Sequence, residues 1–195
     1  MKNYLLFTLL TFGLLIMGCG SKGGPDLSPE ASTKTVKNLP DWYLNTPVND
    51  GYQYAAAEAT SQSMQLAVDK ARVAAVSNLS QMIKSEWNGY TKRVQEETGM
   101  GADSKLLDQF STTQENVISN QLENVIVKEK EIQVENSGGT RIYRTFVLVE
   151  LDENAAQEKL LAQIKADQQL YDAIKASELV DEMEQKVEAY RQRKQ

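Results

Sequence analysis

The stretch at residues 125–151, VIVKEKEIQVENSGGTRIYRTFVLVEL, decides the fold. Its two halves, 125–135 and 141–151, are rich in β-branched residues, and Asn136, Ser137, Gly138 and Gly139 between them supply turn chemistry. This pattern predicts a β-hairpin. In the second half Ile142, Phe146 and Leu148 point one way, and Tyr143, Val147 and Val149 the other, because side chains alternate across a strand. Apolar residues on both sides imply some cover on both faces of that strand.

Upstream the period changes. Met64, Val68, Ala71, Ala75, Leu79, Met82, Ile83, Trp87, Tyr90 and Val94 recur at helical spacing from Ser61 to Gly99. Ala67, Ala71, Ala74 and Ala75 are small enough to bring that helix close to a sheet. Before it, residues 52–58 (YQYAAAE) read as a short strand after a turn at Gly51. Residues 39–43 (LPDWY) read as an extended aromatic segment, and Pro47 keeps the following chain from becoming helical. Beyond Gly99, Met100 and Gly101, either Asp103 or Ser104 is a cap for a second helix. Its apolar side is Leu106, Leu107, Phe110, Val117, Ile118 and Leu122, around a polar middle at 111–116 (STTQEN).

From Asp152 the pattern is helical again. Asp152 and Asn154 are candidate caps, and Leu160, Leu161, Ile164, Tyr171, Ile174, Met183, Val187 and Tyr190 carry the apolar side nearly to the end. Past Ser177 charge rises, so the last helix is expected to project from the domain or to pair with a partner. The expected architecture is α+β: one compact domain at residues 40–152, a long helix packed on a small antiparallel sheet, followed by a long C-terminal helix at 153–195.

The first residues carry a different message. Lys2 precedes a nearly unbroken apolar run at 4–17, which ends in Gly18 and Cys19. A charged start, a short apolar core and a small residue at the cut make a secretory signal. The run is short for a membrane-spanning helix. Cleavage between Gly18 and Cys19 would leave a thiol able to carry a diacylglycerol thioether, and an amine open to acylation with a chain such as palmitate. Residues 1–18 are therefore read as a lipoprotein signal peptide. Gly20 stands where an aspartate would signal inner-membrane retention, which favours the outer membrane. Residues 20–39 carry Gly, Ser, Pro, Lys and Thr with little apolar content, the composition of a flexible tether reaching on the order of 25 Å.

Composition closes several routes to function. The formal charge is −6, and loss of Lys2 makes it more negative, which argues against nucleic acid as a partner. There is no histidine, the commonest general base and transition-metal ligand, and the lone cysteine is assigned to lipid. No phosphate-cradling glycine loop is present. The sequence reads as non-enzymatic, without catalytic residues, cofactor or metal.

Pro40, Asp41, Trp42 and Tyr43, then Pro47, then 51–57 (GYQYAAA) and a long alanine-spaced helix resemble the Lpp-twenty family of bacterial outer-membrane lipoproteins, which includes flagellar basal-body lipoproteins. The resemblance runs over residues 40–151 and implies a helix packed on an antiparallel sheet, tethered to the outer membrane. It implies no enzyme. A flagellar basal-body association is one version of the role it suggests.

Among individual residues, Trp42, Tyr43, Tyr52 and Tyr54 gather in one span. Such aromatics usually bridge core and surface, and the rival reading is a shelf for a glycan or apolar ligand. Glu96, Glu97 and Asp103 lack the alternating oxygen ligands of a calcium loop and read as helix-end charge. Glu129, Glu131, Glu150 and Asp152, interleaved with Lys128, Lys130, Arg141 and Arg144, read as cross-strand ion pairs, not as glycosidase carboxylates. Val180, Met183, Val187 and Tyr190 make a narrow apolar seam. Met183 and Val187 are thus the expected contacts for self-association or for another envelope protein. The leading expectation is a lipid-anchored outer-membrane lipoprotein with a structural or assembly role; the alternative is a ligand-binding lipoprotein using the aromatics of residues 42–54.

Overall fold

A computed structural model describes residues 38–101, 104–137 and 139–194. Gly18, Cys19, the tether up to Lys37, and the cap candidate Asp103 lie outside the described residues. Among the described residues six helices and three strands follow one another as α1 (Asp41–Leu44), β1 (Tyr52–Ser61), α2 (Met64–Thr98), α3 (Lys105–Leu122), β2 (Ile126–Ser137), β3 (Thr140–Asp152), α4 (Glu153–Ala166), α5 (Gln168–Ile174) and α6 (Glu178–Lys194). The class is α+β, as expected. Among the described residues no helix is long and apolar enough to cross a membrane.

The hairpin forms where the sequence places it. Ser137 pairs with Thr140, and Gly139 in the turn takes φ +81°, a conformation that favours glycine. The sheet is antiparallel throughout, in the order β1-β3-β2, with β3 in the centre. From Thr145 to Leu151 every residue of β3 is buried, so both faces of that strand are covered. On one side α2 lies over β1 and β3, and Ala67, Ala71 and Ala75 are fully buried, which permits its close approach. On the other side Phe146 meets the ring of Tyr43 edge-on, with centroids 4.9 Å apart.

Helix ends follow local chemistry. The Ser63 hydroxyl accepts the N–H of Leu66 at the start of α2, and Gly99 (φ +70°) closes its end. Asp152 caps α4 through the N–H of Ala155 at 2.9 Å, and Asp167 caps α5 through the N–H of Leu170 at 3.0 Å. Ser104 precedes α3 but makes no capping bond. The polar middle of α3 is partly internal: Gln114 is buried and accepts a hydrogen bond from Thr91 at 2.7 Å.

Four expectations need correction. Residues 41–44 are a single helical turn, not an extended segment, because Pro40 sits at the N-cap and its carbonyl accepts the N–H of Tyr43 at 2.9 Å. Asn38 and Leu39, read with the tether, belong to the folded unit: the Asn38 carbonyl accepts from the Gln133 amide. The C-terminal region is three helices, broken at Asp167 and before Glu178, not one. Lastly, α6 does not project. Leu179, Val180, Met183, Val187 and Tyr190 are buried within the chain, where α6 lies along α4 and touches α2. The seam is an ordinary amphipathic face. Its rim is tied by Lys165–Glu184 (2.9 Å), Arg191–Glu158 (2.7 Å) and the Tyr190 hydroxyl on Asp152 (2.6 Å). Met183 and Val187 are therefore core residues and present nothing to a partner.

Candidate functional site

The aromatic segment divides into fixed and open parts. Tyr43 lies on Phe146, and Trp42 meets Tyr43 edge-on with centroids 6.4 Å apart. Tyr54 is buried. Its hydroxyl donates to Glu150 Oε2 at 2.7 Å and accepts from the Asn49 amide at 2.8 Å. Glu150, itself buried, is also met by Lys128 Nζ at 2.9 Å. Burial foremost, and then the Glu150 carboxylate, push the Tyr54 phenol above its usual value, so it stays a donor. These ties make Tyr43 and Tyr54 structural. Trp42 and Tyr43 are half-buried and Tyr52 is 39% exposed, so Tyr54 alone of the group is withdrawn from solvent.

Beside Tyr52 runs a groove of about 590 Å3 between the 46–51 loop and α2, with Val48, Tyr52 and Met82 as its apolar lining and Asn78 and Glu153 as polar points. Its chemistry suits a flat or apolar group.

A polar cluster that sequence reasoning missed lies at the junction of β1, α2 and α4. The Gln53 amide donates to both Glu86 Oε2 and Glu153 Oε2, each at 3.1 Å. The Tyr90 hydroxyl donates to Glu86 Oε1 at 2.8 Å, and the Gln157 amide to Glu153 Oε1 at 2.6 Å. Burial, and next the facing Glu86, raise the Glu153 carboxyl above the ordinary range. Two close carboxylates invite a hydrolase reading, but the Gln53 amide occupies the gap where a scissile bond would have to lie. Glu86 and Glu153 stand far apart in the sequence on different helices, so no spacing signal announces them.

The remaining acidic candidates are structural. Glu97, at the end of α2, accepts from the Ser177 hydroxyl and, at 3.3 Å, from the N–H of Leu179 at the start of α6. Those bonds, the Ser177 one foremost, hold its carboxyl below the usual range. Arg93 backs it at 3.2 Å and grips Glu182 with two bonds of 2.9 and 3.1 Å. Glu96 pairs with Lys92 at 3.7 Å. No three metal-ligating side chains gather among the described residues. Cross-strand pairing holds for Lys128–Glu150 and for Arg144, which bridges Glu135 (2.8 Å) and Glu58 (3.0 Å). Glu129 and Glu131 form no ion pair among the described residues, and Asp152 serves as a cap instead. No family model, curated protein or solved structure matches the chain.

Proposed function

We propose that this chain is a non-enzymatic lipoprotein, anchored in the outer membrane through Cys19, with a structural or assembly role in the cell envelope on the pattern of the Lpp-twenty lipoproteins it resembles. The observation that carries the reading is the run at residues 4–17 ending in Gly18 and Cys19. Support comes from the layout downstream: the folded unit starts at Asn38, which leaves residues 20–37 to stand between lipid and domain. The absence of histidine and of any second cysteine from the sequence favours a role without chemistry. The Cys19→Ser protein is expected to leave the membrane fraction and to lose incorporation of labelled palmitate. Retention of this variant in the outer membrane at parental levels would reject the anchor. A flagellar basal-body setting is the narrower version, tested by co-purification with basal bodies.

A second reading rests on the groove beside Tyr52. Its apolar lining suits a glycan or apolar ligand. Binding of cell-wall fragments there is expected to shift tryptophan fluorescence in the parent and not in Tyr52→Ala.

A further inference from the structure

We infer that the outer edge of β2 is a docking site for an extended segment of a partner protein, in which lysine or arginine alternates with β-branched apolar residues. This deepens the assembly reading and rests on it for the existence of a partner. Among the described residues β2 pairs with β3 alone, so the backbone groups along its other side are unpaired. Helix α2 covers β1 and β3 but not β2. Val127 (41%) and Val134 (56%) are exposed in consequence, and Ile126 (59%), opposite Glu150 on the other face, is exposed as well.

The register with β3 sorts β2 into two rows. Val127, Lys130, Ile132 and Val134 stand opposite Val149, Val147, Thr145 and Tyr143, on the face that carries α2. Glu129, Glu131, Gln133 and Glu135 stand opposite Leu148, Phe146, Arg144 and Ile142, on the other face. One row is largely apolar and uncovered, and the other is acidic. A bulge between Val127 and Glu129 disturbs the strand near its start, but pairing runs regularly from Glu129 to Ser137.

A second copy of this chain is a poor occupant. Two β2 strands paired about a two-fold axis set residues of the same row against each other. Every such register centred between Lys130 and Gln133 puts one of Glu129, Glu131 or Glu135 opposite another glutamate. Like charges directly opposed are destabilising. A strand with basic residues on that row meets the acids instead, and its apolar residues extend the sheet over Ile132 and Val134. Such strand addition draws affinity from main-chain bonds and selectivity from alternate side chains.

The test uses the full chain in detergent and an acetylated octapeptide of alternating lysine and valine. The peptide is expected to bind and to slow amide exchange across residues 129–136. The charge-reversed pair Glu129→Lys with Glu131→Lys is expected to weaken it by about tenfold and to turn preference toward a glutamate–valine octapeptide. A proline-interrupted peptide of equal charge should not bind. Absence of binding, protection located elsewhere, or equal binding of the proline peptide would overturn the inference. So would β2 amides that are already protected in the free protein and lose protection when residues 20–37 are deleted, because the chain's own tether would then hold the edge. The anchor reading stands or falls separately, on the Cys19→Ser fractionation.

Discussion

Tyr54 joins the loop at Asn49, the strand β1 and the centre of the sheet through one hydroxyl. Removing that oxygen leaves the buried Glu150 with Lys128 as its remaining charge partner and leaves the Asn49 amide without its acceptor. Tyr54→Phe is therefore expected to lower stability by about 1–2 kcal/mol, measured by urea denaturation. A ligand role for the same hydroxyl would instead leave stability unchanged. Of the aromatic residues that the sequence grouped together, their shared span was legible and their separate fates were not. Tyr43 and Tyr54 are fixed by partners a long way downstream: the register of β1 on β3 sets Tyr54 opposite Glu150, and the packing of α1 on β3 brings Tyr43 to Phe146. The Glu86–Glu153 cluster was hidden for the same reason.

The secondary elements themselves were mostly readable. Local rules govern the hairpin and α2: alternation, a glycine-rich turn, helical spacing, a serine cap and a glycine stop. Helix α1 escaped because a proline can open a helix as readily as it keeps a chain extended. The C-terminal breaks escaped because Asp167 and Ser177 look like ordinary polar positions until the caps on α5 and α6 are seen. The seam on α6 shows what periodicity leaves open: an apolar stripe fixes which side of a helix is buried, not against what. Since the stripe is filled by the chain's own helices, Met183→Ala is expected to cost about 2–5 kcal/mol of stability. Urea denaturation monitored by circular dichroism measures it. Light scattering on the still-folded fraction should give the parental mass, since Met183 is buried within its own chain.

Charge acts on the molecule as a whole, and its sign can be worked out. The Glu153 carboxyl titrates higher in the folded chain than in the unfolded one, so its ionised form opposes folding near neutral pH. Stability gains from this group as pH falls through its folded value toward the ordinary carboxylate range. Glu97 behaves in the opposite way: its folded value is lowered, so its contribution is present above the unfolded value and lost as pH falls through the folded one. The expected profile rises gently from neutral pH toward the carboxylate range and falls below it. In Glu153→Gln the rise should vanish and stability at neutral pH should exceed the parent's, as thermal denaturation across pH will measure.

The central position of β3 also orders events in time. Its partner β2 is a hairpin neighbour, but its partner β1 lies far back along the chain: Gln53 and Glu153, brought together at one end of the pairing, are 100 residues apart. A polypeptide is made from its N-terminus, so β1 exists long before the strand that it joins. Until residues 140–152 have emerged, Tyr54, Ala55 and Ala57 have no sheet to enter. A nascent chain halted after residue 137 is expected to leave β1 open to protease, and one extended through α6 to protect it. If the chain is exported as its N-terminus suggests, that waiting interval falls during passage across the membrane, and a holding chaperone has its reason to bind there.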